Sequence, residues 1–250
     1  MAEAAQRRIA YVTGGMGGLG TAICRRLCRG HYIVVAGCRP GSPRRERWVR
    51  LMADEGASVA ASEADVCDYE STRRALESVR REVGPVDILI NNAGITRDAL
   101  FRQMGPEEWR TVLDTNLSSL FNVTRQVLDG MLERGWGRIV NISSVNGQRG
   151  QFGQTNYSSA KAGIHGFTMA LAQEVAARGV TVNTVSPGYL ATDMVKAVKP
   201  DRLEKIVSTI PIRRLGEPAE IASLVAWLVS EESAYATGAD FSVNGGMYMA

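Results

Sequence analysis

Short apolar runs alternate with amphipathic stretches along the whole chain, and this alternation constrains the fold more than any other feature. Apolar runs with the length of strands lie at residues 9–13, 33–37, 57–61, 86–90, 138–142, 180–185 and 240–243. Their inner positions are apolar rather than alternating, as in parallel strands that are covered on both faces. Stretches with helical spacing lie at residues 18–29, 43–55, 69–83, 106–133, 157–177 and 218–230. The pattern predicts an α/β fold, a doubly wound parallel sheet of about seven strands with helices on both faces.

No linker, repeat or low-complexity segment divides the 250 residues. A chain of this length can bury the core of one large α/β domain, so we predict a single domain over residues 1–250. The one poorly patterned stretch, residues 189–215, lies between the sixth strand and the last helix and contains Pro200 and Pro211. We predict that it forms a lid over a substrate.

Composition argues against several classes of partner. The formal net charge of +3 comes without a basic stripe interleaved with aromatic residues, so no nucleic-acid partner is expected. No apolar run approaches the ~18 residues that span a bilayer. Residues 1–8 lack the apolar core of a signal peptide. We therefore expect a cytoplasmic protein with no membrane partner.

The cysteines and histidines do not have the spacing of a metal site. Cys24 and Cys28 are four residues apart in a predicted helix, without further partners at the spacing that zinc sites use. His31 and His165 also lack such partners, and we interpret both as helix-end or packing residues. No metal is therefore expected.

A glycine-rich turn follows the first predicted strand. It reads Thr13-Gly14-Gly15-Met16-Gly17-Gly18-Leu19-Gly20 and leads directly into the first helix. Glycines allow a tight turn and a close approach of a pyrophosphate to the helix N-terminus, where the helix dipole favours anions. Its place between a strand and a helix favours a Rossmann-type dinucleotide site over a purely structural turn. The predicted cofactor contacts in it are Gly14, Gly15, Met16, Gly17, Gly18 and Gly20.

The end of the second predicted strand is basic where NAD sites usually carry an acid for the adenosine ribose. The segment 37–45 contains Arg39, Arg44 and Arg45, and the first acid is Glu46. A carboxylate would repel a 2′-phosphate, whereas guanidinium groups form charge-assisted hydrogen bonds to it. The segment thus favours NADP(H) over a solvated basic helix start. Arg44 is the first candidate for the phosphate contact, with Arg39 and Arg45 as alternatives.

Tyr157 and Lys161 are four residues apart and share one face of a predicted helix. An unperturbed tyrosine, with a pKa of about 10, is a poor acid–base catalyst at neutral pH. A nearby ammonium and a positively charged nicotinamide ring would lower that pKa. In most proteins such a pair is only a surface helix pair, so its context decides.

That context resembles the short-chain dehydrogenase/reductase family over nearly the whole chain. The matching motifs are Thr13–Gly20, Asp65-Val66, Asn91-Asn92-Ala93-Gly94, the set Asn116, Ser144, Tyr157 and Lys161, and Pro187-Gly188 with Thr192. The resemblance implies that Asp65 meets the adenine ring and that the motif at Pro187, Gly188 and Thr192 lies on the nicotinamide side. It also implies cofactor contacts from Asn92, Ala93, Gly94, Tyr157 and Lys161.

The same resemblance implies a catalytic tetrad, Asn116, Ser144, Tyr157 and Lys161. Tyr157 would protonate a carbonyl oxygen as hydride arrives, and Ser144 would donate a hydrogen bond to that oxygen. Lys161 would bind the nicotinamide ribose and lower the pKa of Tyr157. Asn116 would hold a water that links Lys161 to solvent. Members of the family are commonly homotetramers, which we expect here as well.

Within the family, residues 37–45, 142–157 and 237–246 most resemble the bacterial enzymes that reduce acetoacetyl-CoA with NADPH. Those enzymes make (R)-3-hydroxybutyryl-CoA for polyhydroxybutyrate synthesis, so a small acyl-CoA substrate is expected. The loop 148–154 lies between Ser144 and Tyr157, so its side chains should face the acyl group. The predicted substrate contacts are Asp98, Gln151, Phe152, Gln154 and Tyr189.

Two other functions are compatible with this sequence. A 3-oxoacyl-acyl-carrier-protein reductase would use the same chemistry on a different carrier. A non-catalytic NADP(H)-sensing regulator could use the same fold, since a fold does not determine a function. The regulator predicts at least one degraded tetrad position, and all four are intact.

Overall fold

The computed structural model describes residues 7–192, 195 and 200–249. Seven parallel strands form one sheet in the order β3-β2-β1-β4-β5-β6-β7. They are β1 Ile9–Val12, β2 Ile33–Cys38, β3 Val59–Glu63, β4 Ile88–Asn91, β5 Gly137–Ile142, β6 Val180–Pro187 and β7 Asp240–Val243. The strand order reverses between β1 and β4. In open α/β sheets, ligands bind outside the carboxyl ends of the strands at such a point.

Helices cover both faces of the sheet, which confirms the predicted fold class. They are α1 Gly18–Arg29, α2 Arg45–Asp54, α3 Tyr69–Glu82, α4 Pro106–Leu113, α5 Ser119–Arg134, α6 Val145–Arg149, α7 Thr155–Val175, α8 Pro200–Ser208 and α9 Pro218–Leu228. Successive side chains of a strand point to opposite faces. Ala10 and Val12 of β1 therefore pack with α1 and α9, whereas Ile9 and Tyr11 pack with α3, α5 and α7. The sheet is the middle of three layers.

The long helix predicted for residues 106–133 is interrupted in its middle. α4 ends at Leu113, and a π-helical segment, Asp114–Ser118, separates it from α5. A π turn accommodates an extra residue, and such turns are frequent at functional sites. Here the turn places Asn116 inside the molecule, where its Nδ2 donates to the carbonyl oxygen of Val112 at 2.8 Å.

The loop predicted for residues 148–154 is helical at its start, because α6 includes residues 148 and 149. Ser144 begins this helix, since its Oγ accepts a hydrogen bond from the backbone N of Asn146 at 3.1 Å. Serine is favoured at this position because it satisfies a backbone donor of the first turn. α7 starts at Thr155, two residues before the predicted start.

The lid predicted for residues 189–215 lies partly outside the described residues, which omit 193–194 and 196–199. Its described part contains α8, and a parallel bridge joins Leu190 to Gly216. In the portion of the chain that the structure describes, no helix has both the length and the apolar character needed to cross a membrane.

Candidate active site

Hydrogen bonds join the glycine turn after β1 to the turn after β4. The Oγ1 of Thr13 accepts hydrogen bonds from the backbone N of Asn92 at 2.9 Å and of Ala93 at 3.0 Å. In return, the Nδ2 of Asn92 donates to the carbonyl oxygens of Thr13 and Gly14. Gly14 has a φ of +60°, and a Cβ there would lie 3.1 Å from the Cα of Ala93. The site needs glycine because the two turns touch through their backbones.

α1 begins in this turn without a capping side chain. The N-cap residue is Gly17, which has no side chain to bond the first amides of the helix. The first turn also carries no acidic residue. The N-terminal amides and the positive end of the helix dipole therefore favour an anion such as a pyrophosphate. Thr192 lies beside this turn, since a Cβ on Gly18 would be 3.0 Å from its Cγ2.

A cleft of about 580 Å³ opens beside the glycine turn. Among the predicted cofactor contacts, those that line it are Gly14, Arg39, Asp65, Ala93 and Gly94. Sequence reasoning missed Tyr11, Cys38 and Thr115, which also line the cleft. These three residues belong to no recognisable motif, and only the packing of β1, β2 and the π-helical segment brings them to this wall.

The three candidate arginines have different surroundings. Arg45 lies 3.6 Å from a carboxylate oxygen of Glu63, at the end of β3, and that carboxylate also accepts a hydrogen bond from the backbone N of Gly41. Arg39 and Arg44 are exposed, and neither has an ion-pair partner among the described residues. Of the three, Arg39 lines the cleft. The geometry therefore favours Arg39 over Arg44 for a phosphate contact in this cleft.

Ser144, Tyr157 and Lys161 meet at the end of β5. Ser144 is the N-cap residue of α6, two residues after this strand, and Tyr157 lies in the first turn of α7. The Nζ of Lys161 donates to the carbonyl oxygen of Ile142 at 2.7 Å and lies 5.7 Å from the centre of the Tyr157 ring. Lys161 is 4% exposed, and this burial lowers its pKa to about 8.

Burial has the opposite effect on the pKa of Tyr157. Desolvation of the phenol raises this pKa, and the contact with the Ser144 hydroxyl partly offsets the rise. Negative charge on Asp98 or Tyr189 raises it further. The protein alone thus shifts the pKa of Tyr157 upwards, whereas the sequence predicts a decrease caused by Lys161 together with a positively charged nicotinamide ring. The reason is that desolvation disfavours the phenolate, while the Lys161 ammonium points to a backbone carbonyl.

Asn116 connects the π turn to the loop after β4. Its Nδ2 donates to the carbonyl oxygen of Ile95 at 2.9 Å, and its Oδ1 accepts from the backbone N of Ile95 at 3.2 Å. A Cβ on Gly94 would lie 2.6 Å from this Oδ1 and 3.5 Å from the Nζ of Lys161. Asn116 and Lys161 therefore approach each other across a glycine, and all four tetrad residues are gathered at one site.

Two of the predicted substrate contacts are hydrogen-bonded to each other. The Nε2 of Gln154 lies 3.0 Å from both carboxylate oxygens of Asp98. Sequence reasoning missed Asn146, a buried residue of α6 whose Nδ2 donates to the Oε1 of Gln154 at 3.0 Å. This bond fixes which end of the Gln154 amide faces Asp98.

The other predicted substrate contacts differ in position. Gln151 is half-buried, whereas Phe152 is 86% exposed. Tyr189 lines a second cavity, of about 500 Å³, together with Leu190 and Ile210. Pro187 ends β6, and Gly188 follows it with its backbone N donating to the carbonyl oxygen of Val243.

Comparison with known proteins identifies the class of this protein. The short chain dehydrogenase family matches residues 8–203, so the chain belongs to this family of oxidoreductases. It is 68% identical to the acetoacetyl-CoA reductase of Cupriavidus necator, over 97% of this chain and 99% of that protein. It is 56% identical to the acetoacetyl-CoA reductase of Allochromatium vinosum over the same shares. It is also 45% identical to a 3-oxoacyl-[acyl-carrier-protein] reductase of Vibrio cholerae, over 97% of this chain and 98% of that protein.

Proposed function

We propose that this protein is an NADPH-dependent acetoacetyl-CoA reductase that forms (R)-3-hydroxybutyryl-CoA. The main support is an intact tetrad next to the Asp98–Gln154 pair, in a chain 68% identical to an acetoacetyl-CoA reductase. The same relationship favours a cytoplasmic enzyme of polyhydroxybutyrate synthesis. The exposed apolar side chains of Phe121 and Met169, on α5 and α7, favour a homotetramer.

The residues around the cleft suit NADP(H). The first turn of α1 would hold the pyrophosphate, Asp65 the adenine side, and Arg39, with Arg44 or Arg45, the 2′-phosphate. Lys161 and Tyr157 would bind the nicotinamide ribose, with Asn92, Ala93, Gly94, Pro187, Gly188 and Thr192 around the nicotinamide half. When bound, NADPH supplies the hydride.

Tyr157 gives its proton to the carbonyl oxygen of the substrate. Burial raises the pKa of the phenol, so the neutral form that can donate a proton predominates at neutral pH. The Ser144 hydroxyl interacts with the phenol and can donate to the same oxygen, where negative charge develops. The Lys161 ammonium, one helical turn away, stabilises the phenolate that remains after the transfer.

The acyl group would lie between the loop after β4 and the segment that precedes α7. Asp98, Gln154 and Asn146 form one hydrogen-bonded row along this side. Such a fixed row can orient a thioester with little rearrangement. Gln151 and Tyr189 would contact the acyl chain, and the exposed Phe152 would contact the carrier at the entrance.

Steady-state kinetics of NADPH oxidation test this function. Acetoacetyl-CoA and acetoacetyl-acyl-carrier protein are compared as substrates, and the product is assigned as (R) or (S) by chiral chromatography. We expect the CoA thioester to have the higher kcat/KM and the product to be (R). A carrier-protein preference above about a hundredfold, about 2.7 kcal/mol of transition-state discrimination, would instead assign the chain to fatty acid synthesis. NADPH binding without turnover of either substrate would assign it as a sensor.

A further inference from the structure

His165 lies one helical turn beyond Lys161 on α7, just as Lys161 lies one turn beyond Tyr157. The Nε2 of its imidazole is 2.8 Å from the Oγ of Ser143, and its Nδ1 is 3.4 Å from a carboxylate oxygen of Asp240, at the start of β7. The Ser143 hydroxyl also donates to the carbonyl oxygen of Lys161 at 2.8 Å. Polar contacts therefore run without a break from Asp240 through His165 and Ser143 to the catalytic turn of α7.

The carboxylate of Asp240 is held by two further donors. The Oγ of Ser186, on β6, donates to its Oδ1 at 2.7 Å, and the Nε2 of Gln148, on α6, donates to its Oδ2 at 2.7 Å. The side chains of His165 and Asp240 are 21% and 24% exposed. Partial burial strengthens the electrostatic attraction in such a network. The network joins β6, β7, α6 and α7, and it reaches the tetrad through the bond between Ser143 and the carbonyl of Lys161.

The imidazole of His165 and the carbonyl of Lys161 together determine where the hydroxyl hydrogen of Ser143 points. The carbonyl of Lys161 can only accept, so Ser143 donates to it and accepts in turn from the Nε2 of His165. In the tautomer whose Nε2 carries no proton, the imidazole would compete with the Lys161 carbonyl for the single Ser143 hydrogen. The position of the imidazole proton therefore decides whether the Ser143 hydrogen goes to the Lys161 carbonyl or to the imidazole.

The serine, histidine and aspartate do not form a hydrolytic site. Ser143 is 3% exposed, so a substrate carbonyl cannot reach its oxygen. Its hydrogen is directed at a backbone carbonyl rather than at the imidazole. A nucleophile would need the reverse arrangement, in which the base takes the hydroxyl proton.

We propose that His165, oriented by Asp240, is a positioning residue for hydride transfer. Through Ser143 it holds the Lys161 turn of α7 against the end of β5. Ser144 is the next residue in the chain, so the same contact sets the separation between the Ser144 hydroxyl and the side chains of Tyr157 and Lys161. The proposal rests on the proposed function, because it assigns these residues a part in the same reaction.

A pair of similar substitutions separates this role from simple packing. In His165→Gln the amide N replaces Nε2 and can still donate to Ser143, whereas in His165→Asn the shorter side chain reaches Asp240 only. We expect His165→Asn to lower kcat about tenfold or more and to raise the dissociation constant of NADPH severalfold, because misplacement by a fraction of an ångström has effects of this size. His165→Gln should stay within about threefold of the wild type in both. Equal defects in the two variants, or no defect in either, would overturn the proposal.

Ser143→Ala completes a double-mutant cycle. If His165 acts through Ser143, the double variant Ser143→Ala/His165→Asn should be no worse than either single variant in kcat or in NADPH binding. Additive losses would show independent roles and overturn the proposal. NADPH binding is measured by fluorescence titration without substrate, so this arm decides the positioning role even if the wild type fails to reduce acetoacetyl-CoA. That failure would count against the proposed function alone.

Discussion

Burial shifts the protonation equilibria of the Tyr157 and Lys161 side chains towards their neutral forms. Desolvation raises the pKa of the phenol and lowers that of the ammonium to about 8. At neutral pH the phenol therefore keeps its proton, while most of the lysine remains charged. This combination suits a proton donor that must leave a phenolate beside a cation. It also makes the pair sensitive to alkaline pH.

Tyr157→Phe removes the proposed proton donor and leaves the ring in place. We expect kcat to fall about a hundredfold or more, which is the usual scale for losing a general acid, with little change in NADPH affinity. Turnover and NADPH binding are measured separately. Tyr235→Phe, at a fully exposed position, is the control and should match the wild type. Wild-type turnover in the Tyr157 variant would refute the mechanism.

Lys161→Met tests the cost of burying the ammonium. The pKa of Lys161 is about 8 in the folded protein and 10.5 for the free side chain. The loss of folding free energy caused by burying the ammonium is therefore greatest below pH 8, and it disappears as the pH rises to 10.5. Between about pH 7 and about pH 10 the wild type should gain up to about 3 kcal/mol of unfolding free energy relative to the variant. Urea denaturation of both proteins gives this difference. Parallel pH dependences would contradict the shift.

Arg39→Ala tests the proposed contact between a guanidinium and the 2′-phosphate of NADPH. Arg39 lines the cleft and Arg45 is engaged by Glu63, so Arg39→Ala should raise the KM for NADPH about tenfold or more and leave that for NADH nearly unchanged. Arg50→Ala, on the exposed face of α2, serves as the control. A larger effect in Arg44→Ala than in Arg39→Ala would move the contact to the start of α2.

At the scale of elements, the interruptions of regular structure build the site. The π turn at Asp114–Ser118 turns Asn116 inwards, and the short helix α6 begins at Ser144 and presents Asn146 to Gln154. An unbroken helix or an open loop in these places would leave the polar side chains in solvent. The departure from regular α-helical geometry between α4 and α5 is therefore what brings Asn116 to the site.

Gly94→Ala tests how closely the elements approach. The added Cβ would lie 2.6 Å from the Oδ1 of Asn116, so the loop after β4 or the π turn must move. We expect kcat to fall about tenfold or more and the free energy of unfolding to fall by about 1–3 kcal/mol. Gly166→Ala on α7 meets no atom within 4 Å and should keep full activity. An active, fully stable Gly94 variant would show that the close contact between Gly94 and Asn116 is needed neither for activity nor for stability.

At the scale of the whole molecule, the parallel sheet brings distant segments to one edge. The turns after β1 and β4 are adjacent because these strands are neighbours in the sheet, although some eighty residues separate Thr13 from Ala93. β5 and β6 extend the same edge with Ser144 and Gly188. The right-handed connections leave the helices on the two faces and keep this edge open.

The outer face of α5 and α7 should mediate assembly. Phe121 is 57% and Met169 52% exposed, and Phe121 stacks on Tyr69 at a centroid distance of 6.0 Å. We expect the wild type to sediment as a tetramer and Phe121→Arg to dissociate it, because burying an unpaired charge in an apolar interface is costly. Sedimentation velocity measures both states. Leu51→Arg, on α2, should remain tetrameric. A monomeric wild type would contradict the assembly.

The order and type of nearly all strands and helices can be predicted from the sequence, because apolar periodicity and glycine turns are local signals. The sequence also predicts the four tetrad residues, which lie in recognisable motifs and which the structure brings together at one site. The position of His165, one helical turn beyond Lys161, is a signal as well, although the sequence alone favours a helix-end or packing residue there.

Only the tertiary structure decided the direction of the Tyr157 pKa shift, the break at Asn116 and the partners of His165. Each depends on atoms contributed by strands and helices far apart in the chain. Desolvation and hydrogen-bond partners are properties of the packed interior, and no periodicity along the chain encodes them.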